Sequence, residues 1–322
     1  MNSRIAALAV GAIAIGLVLA QDFAPRTPLY HTWQYALALA IAFAVLLAYA
    51  NGVRRGDDGV VGKRLLVALA GAGVVIGAGL AAGLLGPDTA SVVGTPGTVA
   101  PIPALGAAAF FAPADAAAVA RGDAAVTLRR RDGAALEVGA RGRPLGESLL
   151  YLEPRPAAYL EAWDERGAHL TITQPTSASF LSPVLLFRQQ QRIGEFDVPY
   201  DTFATPALHR VFRALYFTPR DLAAFPRAID DKTHPAVILY AADDRGAQLG
   251  ITFAPSGKDV TIAGVRVRAT LGTYPALAIA AAPPAWALVA GVALFVAGIG
   301  WSAAASRRLS PRNRRRAVVH AD

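Results

Sequence analysis

Four stretches of the chain, Ile5–Ala20, Trp33–Ala50, Leu65–Leu85 and Ala285–Ala305, contain no Asp, Glu, Lys or Arg. A helix needs roughly 20 apolar residues to cross about 30 Å of hydrocarbon. The bilayer offers no water to backbone amides, so a spanning segment of this kind has to be helical. The chain is 54% hydrophobic, against about 45–50% for an ordinary soluble domain, and the excess lies in these four runs. The expected fold class is an integral membrane α-helical protein with four spans in a 3+1 arrangement and a large extracytoplasmic, mainly-β domain. The first run has only 16 residues. Behind Met1–Arg4 and ahead of "VLAQ" it reads either as a retained helix or as a signal peptide cut after Ala20. In both cases the second run enters from outside.

The location of charge sets the orientation. Residues 87–284 hold 19 Lys+Arg and 19 Asp+Glu, so the other 12 basic and 4 acidic residues account for the whole net charge of +8. The basic residues cluster at Arg54, Arg55, Lys63 and Arg64, and again at Arg307, Arg308, Arg312, Arg314, Arg315 and Arg316. Basic loops stay on the cytoplasmic side, which places both clusters and Arg4 inside. The middle segment then lies outside, in the cell (inner or plasma) membrane's extracytoplasmic space. A neutral bulk domain argues against nucleic acid as partner. The Arg-rich tail fits topology anchoring, with a specific ligand such as anionic lipid as the alternative. The chain has no cysteine, so no disulfide staples the outside domain and no thiol relays electrons.

The expected division is 1–86 for three transmembrane helices with short loops, 87–124 for an extracytoplasmic linker and 125–284 for the β-rich domain. The fourth helix takes 285–305 and the basic cytoplasmic tail 306–322. In the third run Gly73 and Gly77, and Gly79 and Gly83, stand four apart. Such spacing lets helix backbones approach closely, either among the chain's own helices or against a second membrane protein. From Gly86 to Gly106 the Pro- and Gly-rich sequence shows no period and reads as extended linker; "FFAPADAAAVARG" offers a short helix after it. "AAVTLRRRDGAALEVGA" alternates around Asp-Gly and reads as a hairpin. "AYLEAWDERGAHLTITQP" and "AVILYAADDRGAQLGITFAP" repeat that shape around "DERG" and "DDRG". "KDVTIAGVRVRATLG" adds a hairpin with Val265, Val267 and Ala269 on one face and Arg266 and Arg268 on the other. Across Thr205–Phe225, Leu208, Val211, Phe212 and Leu215 recur at helical spacing. This segment is expected to be a helix with His209, Arg210 and Arg213 on its polar side.

No nucleophile elbow, zinc-helix motif, P-loop or dinucleotide fingerprint occurs in the sequence. The expectation is a binding or scaffolding protein without catalytic residues. His169, His209 and His234 are not spaced as a metal pair on one element. The acidic pairs Asp164–Glu165 and Asp243–Asp244 fall at hairpin tips, where turn chemistry explains them. "RQQQR" at Arg188–Arg192 reads as a solvated strand end. His31 lies between Tyr30 and Trp33, one turn ahead of the second run. It is either an interfacial residue beside aromatic anchors or an axial ligand for haem iron, with the second ligand from another chain.

Two segments carry a family likeness. "LYHTWQYALALAIAFAVLLAYANGVRR" resembles the second span of ResB-type cytochrome c maturation proteins. "THPAVILYAADDRGAQLGITF" with "IAGVRVRATLGTYPALAIAAAPPAWALVAGVALFVAGIG" resembles their closing segment. The 3+1 layout is similar throughout, while residue-level likeness covers about a third of the chain. The resemblance implies an accessory subunit that helps deliver haem across the membrane and present it to apocytochrome c. It implies a ResC/CcsA-type multi-span membrane partner, haem as cofactor and His31 as its axial ligand in the bilayer. The chain is short for that family, and its third span lacks the histidine that many members carry. The alternative is a membrane-anchored structural or sensory protein whose β-domain binds another envelope protein or ligand without haem.

Overall fold

A computed structural model of the full chain describes residues 3–23, 32–54, 59–86, 89–139, 142–174, 183–223 and 233–318. The helices are α1 (Ser3–Phe23), α2 (Trp33–Arg54), α3 (Gly59–Leu85), α4 (Ala116–Arg121), α5 (Pro219–Ala223) and α6 (Ala285–Val318). The first eight strands are β1 (Ala90–Val92), β2 (Val99–Ile102), β3 (Ala107–Phe111), β4 (Val126–Arg130), β5 (Ala135–Val138), β6 (Arg143–Leu145), β7 (Ser148–Trp163) and β8 (Val184–Leu186). The remainder are β9 (Gln189–Ile193), β10 (Phe196–Thr205), β11 (Arg210–Phe217), β12 (Ala236–Asp243), β13 (Gln248–Pro255), β14 (Asp259–Ile262) and β15 (Val265–Ala281). The chain forms two compact units. One comprises Met1–Ser91, Ala140–Tyr151 and Ala278–Asp322, and the other Val92–Gly139 and Leu152–Leu277.

The first unit is built on α1, α2, α3 and α6. Within these helices Trp33–Arg54, Arg64–Leu85 and Ala285–Ala304 are long and apolar enough to cross a membrane, while the apolar part of α1, Arg4–Ala20, is shorter. Half of the α3 window is buried, against 17% for α2 and 22% for α6, so α3 is the central helix. Leu65, Ala68, Leu69, Ala72, Val75 and Ile76 form its buried stripe, at the 3.6-residue period of one helix face. The closest backbone approach is between α3 and α6. A Cβ on Gly71 would overlap the Gly291 carbonyl, and one on Gly298 would overlap the Ala68 amide. Small residues therefore set this crossing, but at other positions than the sequence singled out. Gly79 does face the bundle, with Val18 and Leu39 beside it; Gly73 has only Phe43 at 3.6 Å, and Gly77 has open space. Arg64 lies 5.4 Å from the Trp301 ring, where the start of α3 meets the later part of α6.

The second unit is mainly β. A six-stranded sheet has the order β1–β15–β7–β6, with β14 on β15 and β8 on β7, and of it β6 and parts of β1, β7 and β15 fall in the first unit; a five-stranded sheet has the order β13–β12–β11–β10–β9. Their facing sides share one core. Ala158, Leu160 and Ala162 of β7 and Val265, Val267 and Ala269 of β15 meet Phe203, Phe212, Tyr216, Val237 and Leu239. This is two-layer sandwich packing, in which alternate residues point inward. Arg266 and Arg268, on the opposite face of β15, lie over the Trp163 ring at 4.7 and 5.3 Å. A four-stranded sheet, β2–β3–β4–β5, completes the unit. Here α4 is seated on β15: a Cβ on Gly272 would overlap the Val119 carbonyl. Nearby, the Tyr274 hydroxyl donates to the Ala112 carbonyl at 2.6 Å.

Several local expectations hold. The Asp164 and Asp243 tips are the same turn: each Oδ1 accepts two backbone N–H bonds, at 2.9 and 2.8 Å, and Gly167 and Gly246 follow at φ 82° and 83°. Turn chemistry accounts for both acidic pairs. The segment 87–124, expected to be linker, is corrected in part, since β1, β2 and β3 lie within it. Strands of three to five residues made largely of Ala, Val and Pro carry too little period to be read. The expected helix over Thr205–Phe225 is also corrected. It is a 3₁₀ turn (Pro206–Leu208), then β11, then the five-residue α5. From Ala214 to Phe217 β11 is buried on both faces, because Leu215 and Phe217 pack under Leu222 of α5. Two covered faces erase the alternation that marks a strand with one wet side.

Candidate functional site

The five-stranded sheet has an inner face in the sandwich and an outer face only partly covered. The register puts Thr202, Arg213, Tyr240 and Ile251 in one cross-strand row, with Ala204, Val211, Ala242 and Gln248 in the next. α5 covers the far end of this face, where Val198, Leu215, Phe217 and Ala236 are buried with Leu222. The uncovered end forms a groove of about 380 Å³ lined by Gln191, Ile193, Val211, Arg213, Leu215, Tyr240 and Gln248. That volume falls in the range of small-molecule sites, roughly 300–1,000 Å³.

Arg213 is the charged residue of this lining. Its Cζ lies 4.0 Å from the Tyr200 ring centroid, within cation–π reach. One Nη2 hydrogen is donated to Gln191 Oε1 at 2.6 Å. The Nε–H is buried and has no acceptor. Among the described residues no carboxylate pairs with this guanidinium. A partly buried cation without a counter-ion is costly unless something else compensates it. The side chain is held by the tyrosine face and the glutamine amide and aligned along an apolar trough.

A second cavity, about 390 Å³, lies at a loop-rich end of the sandwich and is lined by Asp164, Glu165, Arg166, Leu208, Arg210, Ala263 and Gly264. His209 and Ala263, the non-glycine residues at positive φ (51° and 50°) among the described residues, are at or next to it. Its lining already carries both signs of charge, so it has no single-sign demand for a ligand. Asp201, on the inner face of β10, is 2% exposed. Desolvation pushes its carboxyl above the usual range, opposed by N–H bonds from Thr202 and Arg188. It fastens the chain near β8 and does not reach the groove lining.

The sequence candidates are dispersed. His31 lies outside the described residues; the next residue, Thr32, caps α2 through its Oγ1, which accepts from the Tyr35 amide at 3.4 Å. His169 lies 5.0 Å from the Trp163 ring. His209 Nδ1 sits 2.7 Å from Asp244 Oδ2, with both side chains well exposed. His234 Nδ1 is 2.9 Å from Thr233 Oγ1. Among the described residues no three His, Cys, Asp or Glu side chains are grouped as metal ligands. None of the described residues in the helical unit is a histidine. The described donors therefore do not make up a haem site by themselves. Sequence reasoning missed Arg213 as a site residue because it was assigned to the polar side of a helix. The signal was present: Val211, Arg213 and Leu215 alternate, with a lone cation between two aliphatic residues. In comparisons with known proteins, no family model matches the chain, and neither a curated protein nor a solved structure is similar to it.

Proposed function

We propose that this chain is a membrane-anchored binding protein whose β-rich unit captures a ligand on the outer face of its five-stranded sheet. The observation that carries the reading is the Arg213 groove: an apolar trough with one fixed cation that no described carboxylate pairs. The three apolar helices supply the anchor. By the charge asymmetry of the loops, the basic clusters lie in the cytoplasm and the β-rich unit outside, with α1 as a fourth span. No nucleophile or metal cluster accompanies the groove among the described residues, so binding rather than turnover is its role. Native mass spectrometry of the full chain, released from its own membranes, tests this. The wild type should carry a bound small molecule whose occupancy falls in Val211→Trp, which fills the trough. Equal occupancy in the two would remove the groove from the account.

The resemblance to ResB-type proteins supports a second reading, and the observation favouring it is chain order: three helices, a β-rich unit, then one long apolar helix. On that reading His31 supplies one axial ligand to haem, a ResC/CcsA-type partner supplies the other, and apocytochrome c is the recipient. Haem would bring its own iron chemistry; this chain would hold and orient it. Co-purification with such a partner should then give a Soret band that His31→Ala diminishes. A complex without that band ends this reading and leaves the groove untouched.

A further inference from the structure

We infer that the Arg213 groove takes a small amphiphile with a single carboxylate on an apolar body, a fatty acid being the simplest example. This rests on the reading of the groove as a binding site and names its ligand class.

The argument is one of charge and shape. Ile193, Val211 and Leu215 make the trough apolar, and Arg213 is the charged group lining it. A ligand that buries against these side chains must itself be largely apolar. Of the five guanidinium N–H groups, one has an acceptor among the described residues, the Gln191 amide oxygen at 2.6 Å, and the Nε–H is buried without one among them. An incoming carboxylate presents two oxygens in a plane, which suits the fork of a guanidinium. Tyr200, 4.0 Å beneath, fixes the plane of that fork before the ligand arrives. A single guanidinium matches a monoanion. A phosphate monoester, near two negative charges, would call for a second cation or a nest of backbone N–H groups, and the lining holds no second cation. A neutral alcohol would fill the trough and leave the cation uncompensated.

The test uses the full chain in phosphatidylcholine nanodiscs, with empty discs as reference, and octanoate as probe in calorimetric titration. Octanoate should bind saturably above the empty-disc signal. Arg213→Gln should weaken it by about tenfold or more, as losing a charge-assisted pair implies. Octan-1-ol should not distinguish wild type from Arg213→Gln. Val211→Glu places a carboxylate two residues away on the same face and should abolish octanoate binding; it serves as a second variant if Arg213→Gln fails to fold. Octanoate binding that is the same in wild type and both variants overturns the carboxylate assignment while leaving an apolar binding groove. Tighter binding of octyl phosphate than of octanoate overturns it too. No signal above empty discs for any of the three probes overturns the binding site itself.

Discussion

The β-rich unit contains one plan built twice. β2, a 3₁₀ turn (Pro103–Leu105), β3, α4, β4 and β5 follow one another as β10, a 3₁₀ turn (Pro206–Leu208), β11, α5, β12 and β13 do. Both 3₁₀ turns read Pro-Ala-Leu and end on a left-handed residue, Gly106 in the first and His209 in the second. The registers correspond as well. Ala100 opposite Ala109 in the first meander matches Phe203 opposite Phe212 in the second. Val99 opposite Phe110 matches Thr202 opposite Arg213. The first copy thus puts a phenylalanine, 5.3 Å from the Arg129 guanidinium, where the second puts the groove cation. β11 also has eight residues against five in β3, which lengthens the outer row to carry Val211, Arg213 and Leu215 together. The comparison teaches that backbone plan and binding chemistry are separable: two alanines and a longer strand distinguish a plain sheet from one with a loaded core and a groove.

The largest effect should come from the core difference. Phe203 and Phe212 are fully buried and stack at 4.8 Å. Phe212→Ala, which makes that pair more like the first copy, should cost about 3–5 kcal/mol, read as a lowered melting midpoint and lost amide protection across 236–255. Helix seating comes next. Leu222→Ala should cost about 2–4 kcal/mol by emptying the contact under α5. Gly272→Ala should cost about 1–3 kcal/mol by pushing α4 away, with exchange increasing first around 116–121. If both substitutions loosen the same amides, the two helices do not seal separate sheets.

The buried carboxyl sharpens the comparison through pH. Asp201 stands five residues before Pro206 of its 3₁₀ turn, where the first copy has Thr98 before Pro103. Its folded pKa is raised by burial, so the folded state holds a proton that the unfolded state releases. Its contribution is favourable below the ordinary carboxylate range and is lost as pH rises through the raised value. Asp201→Asn keeps an acceptor for the Thr202 amide and should flatten that fall in melting midpoint. An unchanged slope would show that the carboxyl is solvated. The smallest effect belongs to His209→Gly. Glycine removes a left-handed strain of about 1 kcal/mol and forfeits an exposed His209–Asp244 pair of about 0–1 kcal/mol. Stability should move by less than about 1 kcal/mol, and a larger loss would make that pair structural.

The long apolar helices were legible because about twenty uncharged apolar residues in a row have few other fates, and the acidic turns because an Asp followed by Gly three residues on folds locally. The β14–β15 hairpin was legible because valine and arginine alternate on two unlike faces. β11 was not, because α5 covers its second face, and nothing local to the strand announces that helix. The Gly71–Gly291 crossing was hidden for a related reason: a close approach belongs to two helices more than 200 residues apart, and glycine is abundant in α3.

By itself, then, the sequence determined the apolar segments, the charge asymmetry across them and the turn positions of the β-rich unit, since each depends on residues near one another in the chain. The tertiary structure alone decided which glycines touch, that the meander is doubled and that Arg213 stands in a trough with no counter-ion among the described residues. Those facts depend on what lies across a sheet or under a helix, and distance along the chain carries no record of it.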